Sequence, residues 1–319
     1  NLPQSNGANS TLKNLGKTRG RGVEITLSST NVQSKTGFTW NTDLNFSVNR
    51  EEITQLTTPT EKANIGNGWF VGHPLTVIYD VKKTGIWQTE DSAKGLLSAQ
   101  TSPLQYPGQI SIEDLNSDGK IDANDRQILG NFQPGWEGGI TNRFTYKGFD
   151  LAIVIFARMG MKVLVPYLTA NGTAQGYPFF NQGRFNQIET NYWTRNNPTN
   201  DFPAPDAGTD RLWFGSTLGY RDGSFVKCRS INLGYQLPSS LLGRVGISSV
   251  RIYLNATNPF ILYSPLVRDK LALDPEGNGY GGAVSASGGG EASVPERQIS
   301  VNLNNPPTRQ YTLGVNVRF

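Results

Sequence analysis

The stretch "GFTWNTDLNFSVNR", residues 37–50, alternates apolar and polar side chains almost without a break. Successive side chains of a β-strand point to opposite faces of its sheet, so this stretch predicts a strand with one apolar and one polar face. The apolar face holds Phe38, Trp40, Leu44, Phe46 and Val48. The polar face holds Thr39, Asn41, Asp43, Asn45, Ser47 and Asn49. Such a strand suits a transmembrane β-barrel or a soluble β-sandwich.

Six further segments predict strands of the same kind. They are 22–29, 139–146, 149–157, 224–237, 249–256 and 309–319. The alternation is clearest in "GVEITLSS" (22–29) and in the last nine residues, "YTLGVNVRF". Lys147-Gly148 lies between two of the segments and predicts a two-residue hairpin turn. The sequence therefore predicts an all-β protein with seven main strands.

Three long segments rich in Gly, Pro and Asn separate these strands: 50–137, 159–223 and 257–308. A compact soluble domain rarely carries three such loops, whereas a transmembrane barrel has short turns at one end and long loops at the other. Strands that alternate in direction place every long segment at one end and every short turn at the other. The segment "LTVIYDVKKTGIWQ" (75–88) then belongs to an external excursion and not to the membrane. Alternation alone leaves a soluble sandwich open.

The composition excludes several classes of function. One cysteine, Cys228, permits neither an intrachain disulfide nor a zinc cluster. One histidine, His73, lies in "VGHPL" without a nucleophile motif, so a Ser–His–Asp hydrolase is not indicated and we expect no enzyme activity. The formal net charge of +4 includes no basic block, which argues against nucleic acid as a partner. The chain begins at Asn1 without a signal peptide, and we expect it to be a piece of a longer protein.

Residues 114–126, "DLNSDGKIDANDR", have the spacing of a calcium-binding loop. Asp114, Asn116, Asp118, Lys120, Asp122 and Asp125 occupy ligand positions 1, 3, 5, 7, 9 and 12 of that template. Lys120 would supply only its backbone carbonyl, and Gly119 permits the sharp turn. Asp125 replaces the usual glutamate, as in dockerin-like loops, which this loop resembles. The sequence predicts a structural calcium ion, the alternative being an Asx-rich turn without metal.

Eight motifs along the chain resemble, in order, the C-terminal part of the SusC/RagA family of TonB-linked outer-membrane proteins. They are "NLGKTRGRGVEITLS" (14–28), "VGHPLTVIYDVKKTGIWQT" (71–89), "PGQISIEDLNSDGKIDANDRQILG" (107–130), "FTYKGFDLAIVIFARMG" (144–160), "YWTRNNPTNDFPAP" (192–205), "DGSFVKCRSINLGYQLPSSLL" (222–242), "GISSVRIYLNATNPF" (246–260) and "PTRQYTLGVNVRF" (307–319). The resemblance extends over nearly all 319 residues.

This resemblance implies a plugged barrel of about 22 strands in the outer membrane of a Gram-negative bacterium. Residues 1–319 would be its C-terminal part, with 50–137 as an extracellular region that contains the calcium loop 114–125. Members of the family import oligosaccharides or peptides. The implied partners are a SusD-like surface lipoprotein, the N-terminal barrel and plug portion, outer-membrane lipid, and the TonB complex through that missing portion. Phe319 resembles the terminal aromatic residue that directs barrel assembly.

Two alternatives to a transporter remain at this point. A soluble, calcium-stabilised β-sandwich that binds carbohydrate is one, and a secreted glycoside hydrolase is the other. The hydrolase would need a placed carboxylate pair such as Glu51/Glu52 or Asp201/Asp206, and their polar context does not support one. The long segments also hold Trp69, Trp87, Trp136, Trp193 and Trp213, for most of which we expect a packing role. No substrate-binding residue is predicted.

Overall fold

A computed structural model of the chain describes residues 16–99, 106–165, 168, 190–204, 214–242, 246–272, 274–276, 299–301 and 307–319. Their strands, in chain order, are β1 (Lys17–Gln33), β2 (Thr39–Gln55), β3 (Ala63–Asn64), β4 (Trp69–Phe70), β5 (Val77–Val81), β6 (Lys83–Ile86), β7 (Ile110–Ile112), β8 (Arg126–Asn131), β9 (Trp136–Tyr146), β10 (Phe149–Met159), β11 (Lys162–Leu164), β12 (Tyr220–Asp222), β13 (Phe225–Gln236), β14 (Ser249–Tyr263) and β15 (Gln310–Arg318).

The helices within these residues are short. They are α1 (Thr89–Ala93), α2 (Ser239–Leu242) and α3 (Pro265–Arg268), with 3₁₀ turns at Ile65–Asn67, Leu96–Ala99, Ala123–Asp125 and Gly215–Leu218. No helix of the described residues is long and apolar enough to cross a membrane.

Seven strands form one antiparallel sheet in the order β1-β2-β9-β10-β13-β14-β15. Each contains or overlaps one of the seven segments predicted from alternation, so that prediction is confirmed. Five strands run beyond their predicted ends, and the extension is longest in three: β1 is 17 residues long, β2 continues to Gln55, and β14 continues to Tyr263. The extensions of β1 and β2 are mostly polar, whereas that of β14 carries the exposed residues Phe260 and Leu262.

The connections between these strands have the predicted arrangement. Short links join β1 to β2, β9 to β10 and β13 to β14 at one end, and all the long segments leave from the other. We call these the short-turn end and the long-loop end. The turn between β9 and β10 is Lys147-Gly148, with φ of 46° and 84°. Two positive φ values match the twist of the flanking strands, which confirms the two-residue hairpin.

One face of the sheet is apolar from edge to edge. Residues directly opposite in neighbouring antiparallel strands share a face. One row across six strands consists of Trp40, Phe144, Leu151, Leu233, Leu254 and Leu313. Many residues of this face are exposed, including Ile25 at 49% and Leu313 at 75%. A water-exposed sheet would not tolerate so large an apolar surface, so this is a lipid-facing surface.

Aromatic side chains border this face at the short-turn end. Trp40 stacks on Phe144 at 5.8 Å, and the rings of Phe149 and Tyr235 lie 4.3 Å apart. At the long-loop end, Trp136 packs against Phe46. Trp136 and Tyr146 are ten positions apart on β9. This spacing corresponds to about 34 Å along the strand and, at a tilt of about 40°, to about 26 Å across a bilayer. That height matches the apolar band of an outer-membrane barrel.

The opposite face is polar and is bound together by cross-strand ion pairs. Arg251 Nη2 lies 2.6 Å from Asp150 Oδ2, and Arg158 Nη2 lies 3.2 Å from Glu137 Oε2. A third ion pair on this face joins Arg143 to Asp43. A polar inner face opposite a lipid-facing one is the arrangement of a barrel wall. The soluble sandwich is therefore wrong, because its apolar face would pack against a second sheet.

Candidate functional site

The described parts of the long segments contain regular structure in addition to loops. Four two-stranded sheets lie among the described residues there: β3-β4, β5-β8, β6-β7 and β11-β12. The segment 75–88 supplies β5 and β6 and stays outside the large sheet, as predicted. Its sequence shows no clear strand period, because its short strands pair with partners far along the chain, such as Val77 with Asn131.

These pieces share a hydrophobic core of their own, which we call the platform core. It consists of Val81, Ile86, Ile110, Ile112, Ile121, Met161, Val163, Val165, Leu168, Trp193, Phe202, Leu218, Leu266, Leu271, Ala272 and Val301. All three long segments contribute, so the burial of apolar surface ties them into one body. A barrel wall therefore carries a packed platform at its long-loop end.

Polar contacts lock the platform from within. Trp193 Nε1 donates to Gln88 Oε1 at 2.7 Å. Lys83 Nζ donates to the backbone carbonyls of Asn200 and Asp201 at 2.6 and 2.9 Å. Burial, together with the positive charge of Arg221, lowers the pKa of the Lys83 ammonium to about 8, although Asp201 opposes the shift.

A partly buried tyrosine–carboxylate contact joins two of the small sheets. The Tyr220 hydroxyl of β12 donates to Asp80 Oδ2 of β5 at 3.0 Å. Burial, and then the adjacent carboxylate, raise the pKa of Tyr220 well above its ordinary value. The phenol thus stays a hydrogen-bond donor at any physiological pH.

An ion cluster joins the platform to the polar face of the large sheet. Lys227 of β13 is 1% exposed, and its Nζ lies 2.7 Å from Asp274 Oδ2 and 3.2 Å from Glu276 Oε2. Arg229 Nη2 lies 2.5 Å from Glu276 Oε1, and its guanidinium stands 4.3 Å over the Phe156 ring. Sequence analysis missed all five residues. One signal was available in the sequence: in "SFVKC" (224–228), a lysine takes an inward-facing position at the beginning of a mainly apolar strand.

The loop at 114–125 is closed by hydrogen bonds from its own backbone. Asp125 is fully buried, and its two oxygens accept from the N–H groups of Leu115 and Asp122 at 2.9 and 2.7 Å. Asp114 Oδ2 accepts from Gly119 N at 2.8 Å, and Gly119 has a φ of 78°. The turn predicted from the glycine is thus present.

The other predicted ligands of this loop also face backbone amides. Asp118 Oδ1 accepts from Lys120 N at 2.8 Å, and Asp122 Oδ1 from Asn124 N at 2.7 Å. Asn116 Nδ2 donates to Asp118 Oδ2 at 3.0 Å. Within the described ranges, no three His, Cys, Asp or Glu side chains form a group that could hold a metal ion. The donors are the oxygen ligands calcium prefers, and calcium binding stays a prediction.

The remaining sequence candidates lie as follows. Trp193 is buried in the platform core, which confirms a packing role. Trp136 is not in a loop but begins β9 on the lipid-facing surface. Glu51 and Glu52 are neighbours in β2 and so point to opposite faces, with Glu52 paired to Arg19. Trp213 and Asp206 lie outside the described residues.

The chain is similar to known proteins along its whole length. It is 29% identical to TonB-dependent receptor P26 of Formosa agariphila and 26% identical to TonB-dependent receptor P3 of the same organism, with 100% of this chain covered in each case. It is 23% identical over 83% of its length to the TonB-dependent receptor SusC of Bacteroides thetaiotaomicron. These relatives confirm the predicted resemblance of the chain to SusC-like TonB-dependent receptors. No protein-family model matches the chain.

Solved structures agree with the fold of this SusC-like chain. The RagAB peptide importer in its open-open state superimposes with a TM-score of 0.65 at 22% identity, covering 100% of this chain. Its closed-closed state gives a TM-score of 0.59. The similarity to TonB-dependent receptors confirms the predicted location of this SusC-like chain in the outer membrane of a Gram-negative bacterium. The chain spans 30% and 31% of the lengths of the two Formosa relatives.

Proposed function

We propose that this chain is part of a TonB-dependent importer that carries oligosaccharides or peptides across the outer membrane. The observation that carries the proposal is the two-faced sheet, with lipid-type residues outside and ion-paired polar residues inside, joined to a packed platform. A wall of this kind confines a polar lumen, and the platform stands at its mouth. Transport needs no bond-making chemistry from these residues. The relatives named as TonB-dependent receptors support the same function.

The two edge strands of the large sheet indicate which partners the chain needs. Among the described strands, β1 and β15 each have one neighbour in the large sheet. Unpaired backbone N–H and C=O groups are too costly to leave in lipid, so both edges require further strands. We propose that the N-terminal barrel and plug portion of the same transporter supplies them. A SusD-like lipoprotein would cover the platform, and the TonB complex would act through the N-terminal portion.

The first experiment is the purification of the protein in detergent from its native outer membrane, followed by intact mass and partner identification. We expect a polypeptide about three times the length of this chain, with a lipoprotein attached. Uptake of labelled oligosaccharides and peptides by cells should then fall when the gene is deleted or TonB is inactivated. A 34.9 kDa species that stays in solution without detergent would contradict the proposal.

We further propose that the loop 114–125 binds one structural calcium ion through Asp114, Asn116, Asp118, Asp122, Asp125 and the Lys120 carbonyl. The preformed turn and the oxygen-only donor set support it. Calcium should raise the melting temperature of the detergent-solubilised transporter, and Asp118→Ala should remove that increase. Asp91→Ala, in α1, is the matched control. An identical melting temperature with calcium and with a chelator would refute calcium binding.

Phe319 ends the chain after the last apolar-facing residues of β15 and is 88% exposed. We propose that it acts as the assembly signal of the barrel. Phe319→Ala should lower the amount of folded protein in the outer membrane, and Phe319→Tyr should not. Equal amounts of folded protein in the two variants would remove this role.

A further inference from the structure

A cavity of about 560 Å³ opens at the surface of the platform. It is lined by Thr190, Asn191, Asp201, Phe202, Arg221, Asp269, Lys270 and Leu271. Three separate segments supply these residues: the strip 190–202, β12, and the stretch that follows α3. Its walls are therefore fixed by the platform core, to which Phe202 and Leu271 belong.

The charges of the described lining residues are balanced. Asp201 and Asp269 supply two carboxylates, and Arg221 and Lys270 supply two cations. A ligand with charges of a single sign would approach two like charges as well as two opposite ones. A ligand with one ammonium and one carboxylate group can pair with both sets. Charge complementarity of this kind sets specificity more than it sets affinity.

Neighbouring side chains position the two carboxylates. Asn191 Nδ2 donates to Asp201 Oδ2 at 2.6 Å and orients that carboxylate. Asp269 pairs with its neighbour Arg268 at 2.8 Å, where the two side chains are 48% and 69% exposed. Exposed ion pairs contribute little, so a ligand's ammonium group can replace Arg268 at low cost.

The described lining offers little to a neutral sugar. Sugar rings are commonly held against the open face of an aromatic side chain, and Phe202 is the aromatic residue of this lining. It is 5% exposed, and the Arg221 guanidinium stands 5.3 Å over its ring. The cavity thus presents a charged surface above a buried ring.

One segment of the chain supplies part of the cavity lining and also contacts the barrel wall. The lining residues Asp269 to Leu271 come a few positions before Asp274 and Glu276, which contact Lys227 on the polar face of β13.

We propose that this cavity binds the charged ends of a zwitterionic cargo, with the ammonium group of a short peptide at Asp201 and Asp269 and its carboxylate at Arg221 and Lys270. The proposal rests on the import function proposed above and names the class of cargo. Neutral oligosaccharides would lack both contacts.

The test uses the complete transporter with its bound partner in detergent and three probes: tetra-alanine, tetra-alanine acetylated and amidated at its ends, and maltotetraose. Calorimetry should show that the uncapped peptide binds at least about tenfold more tightly than the capped one. Asp269→Asn and Lys270→Asn should each weaken binding of the uncapped peptide by about tenfold. Asparagine suits the positive φ of 57° at Lys270, so this variant keeps the backbone. Glu90→Gln and Lys94→Gln, both in or beside α1, are the matched controls.

Several results would overturn the proposal: equal affinity for capped and uncapped peptides, tighter binding of maltotetraose, no binding of the peptide, or unchanged binding by the two cavity variants. An uptake assay separates this failure from failure of the import function. If TonB-dependent uptake of any cargo persists in the Asp269→Asn and Lys270→Asn variants, the import function stands and the cavity is not the peptide site. Absence of TonB-dependent uptake for every cargo refutes the import function itself.

Discussion

Lys227 Nζ lies 2.7 Å from Asp274 Oδ2, across 47 residues of sequence. The lysine is on a strand of the barrel wall, and the aspartate is in the segment that follows α3. Because Lys227 is 1% exposed, this is a buried ion pair, and removing one partner of such a pair typically costs about 3–5 kcal/mol. The contact therefore fixes one side of the platform to the wall.

Lys227→Met should release the segment around residues 264–276. The variant keeps most of the side-chain volume but leaves Asp274 and Glu276 without their buried cation. Limited proteolysis of the detergent-solubilised transporter should cut this segment faster than in the native protein. Lys94→Met is the control, because Lys94 is an exposed lysine at the end of α1. Cleavage of Lys227→Met at the rate of this control would show that the pair does not hold the segment.

Gly314→Ala should disturb the inner face of the wall. A Cβ atom at this position would lie 2.3 Å from Cζ of Tyr253, so the tyrosine ring must move. Overpacking of this kind costs about 1–3 kcal/mol. Gly20→Ala is the matched control, because its Cβ would meet no atom within 4 Å. Urea unfolding followed by gel mobility of the folded barrel measures both, and equal midpoints would contradict the prediction.

Leu313→Arg should impair membrane insertion, whereas Thr312→Arg should be tolerated. The two residues are neighbours on β15, but Leu313 belongs to the lipid-facing row and Thr312 lies opposite Asn255 on the polar face. Arginine on the lipid face near the bilayer midplane costs about 2–4 kcal/mol. The fraction of folded protein in isolated outer membranes compares them directly. Similar fractions would show that the two faces are wrongly assigned.

Lys83 should react with acylating reagents at unusually low pH. Its lowered pKa of about 8 leaves half of the amine uncharged at that pH, whereas an ordinary lysine has a pKa of about 10.4. Labelling at limiting reagent, followed by mass spectrometry, should show a midpoint near pH 8, with N-acetyl-lysine amide as the reference. A midpoint matching this reference would show that Lys83 is not desolvated.

The same shift has a defined effect on stability. The folded protein binds fewer protons at Lys83 than the unfolded chain does between pH 8 and about 10.4, so this group adds stability as the pH rises through that window. Below pH 8 its burial costs stability in full. Lys83→Met should remove this part of the pH dependence.

The wall was predictable because its chemistry repeats along each strand. Because one face of each strand contacts lipid and the other is polar, apolar and polar residues must alternate with a period of two. Residues 37–50 show this alternation most clearly. The turn Lys147-Gly148 was predictable because few residue pairs accept two positive φ values.

The platform was not predictable in the same way. Strands such as Lys83–Ile86 and Ile110–Ile112 are only four and three residues long, too short to establish a period. Their pairing depends on burial against partners from other loops. Nothing near Lys227 in the sequence points to the run "LDPE" (273–276), because a contact across 47 residues leaves no local pattern.

The platform has a hydrophobic core separate from the lipid-facing sheet. Changes to the platform surface therefore need not weaken the wall, and changes to the lipid-facing residues need not unpack the platform. Exposed residues of the long loops can therefore change in evolution while the membrane strands stay under unaltered selection. We therefore expect sequence divergence among such proteins to be concentrated at the long-loop end of the molecule.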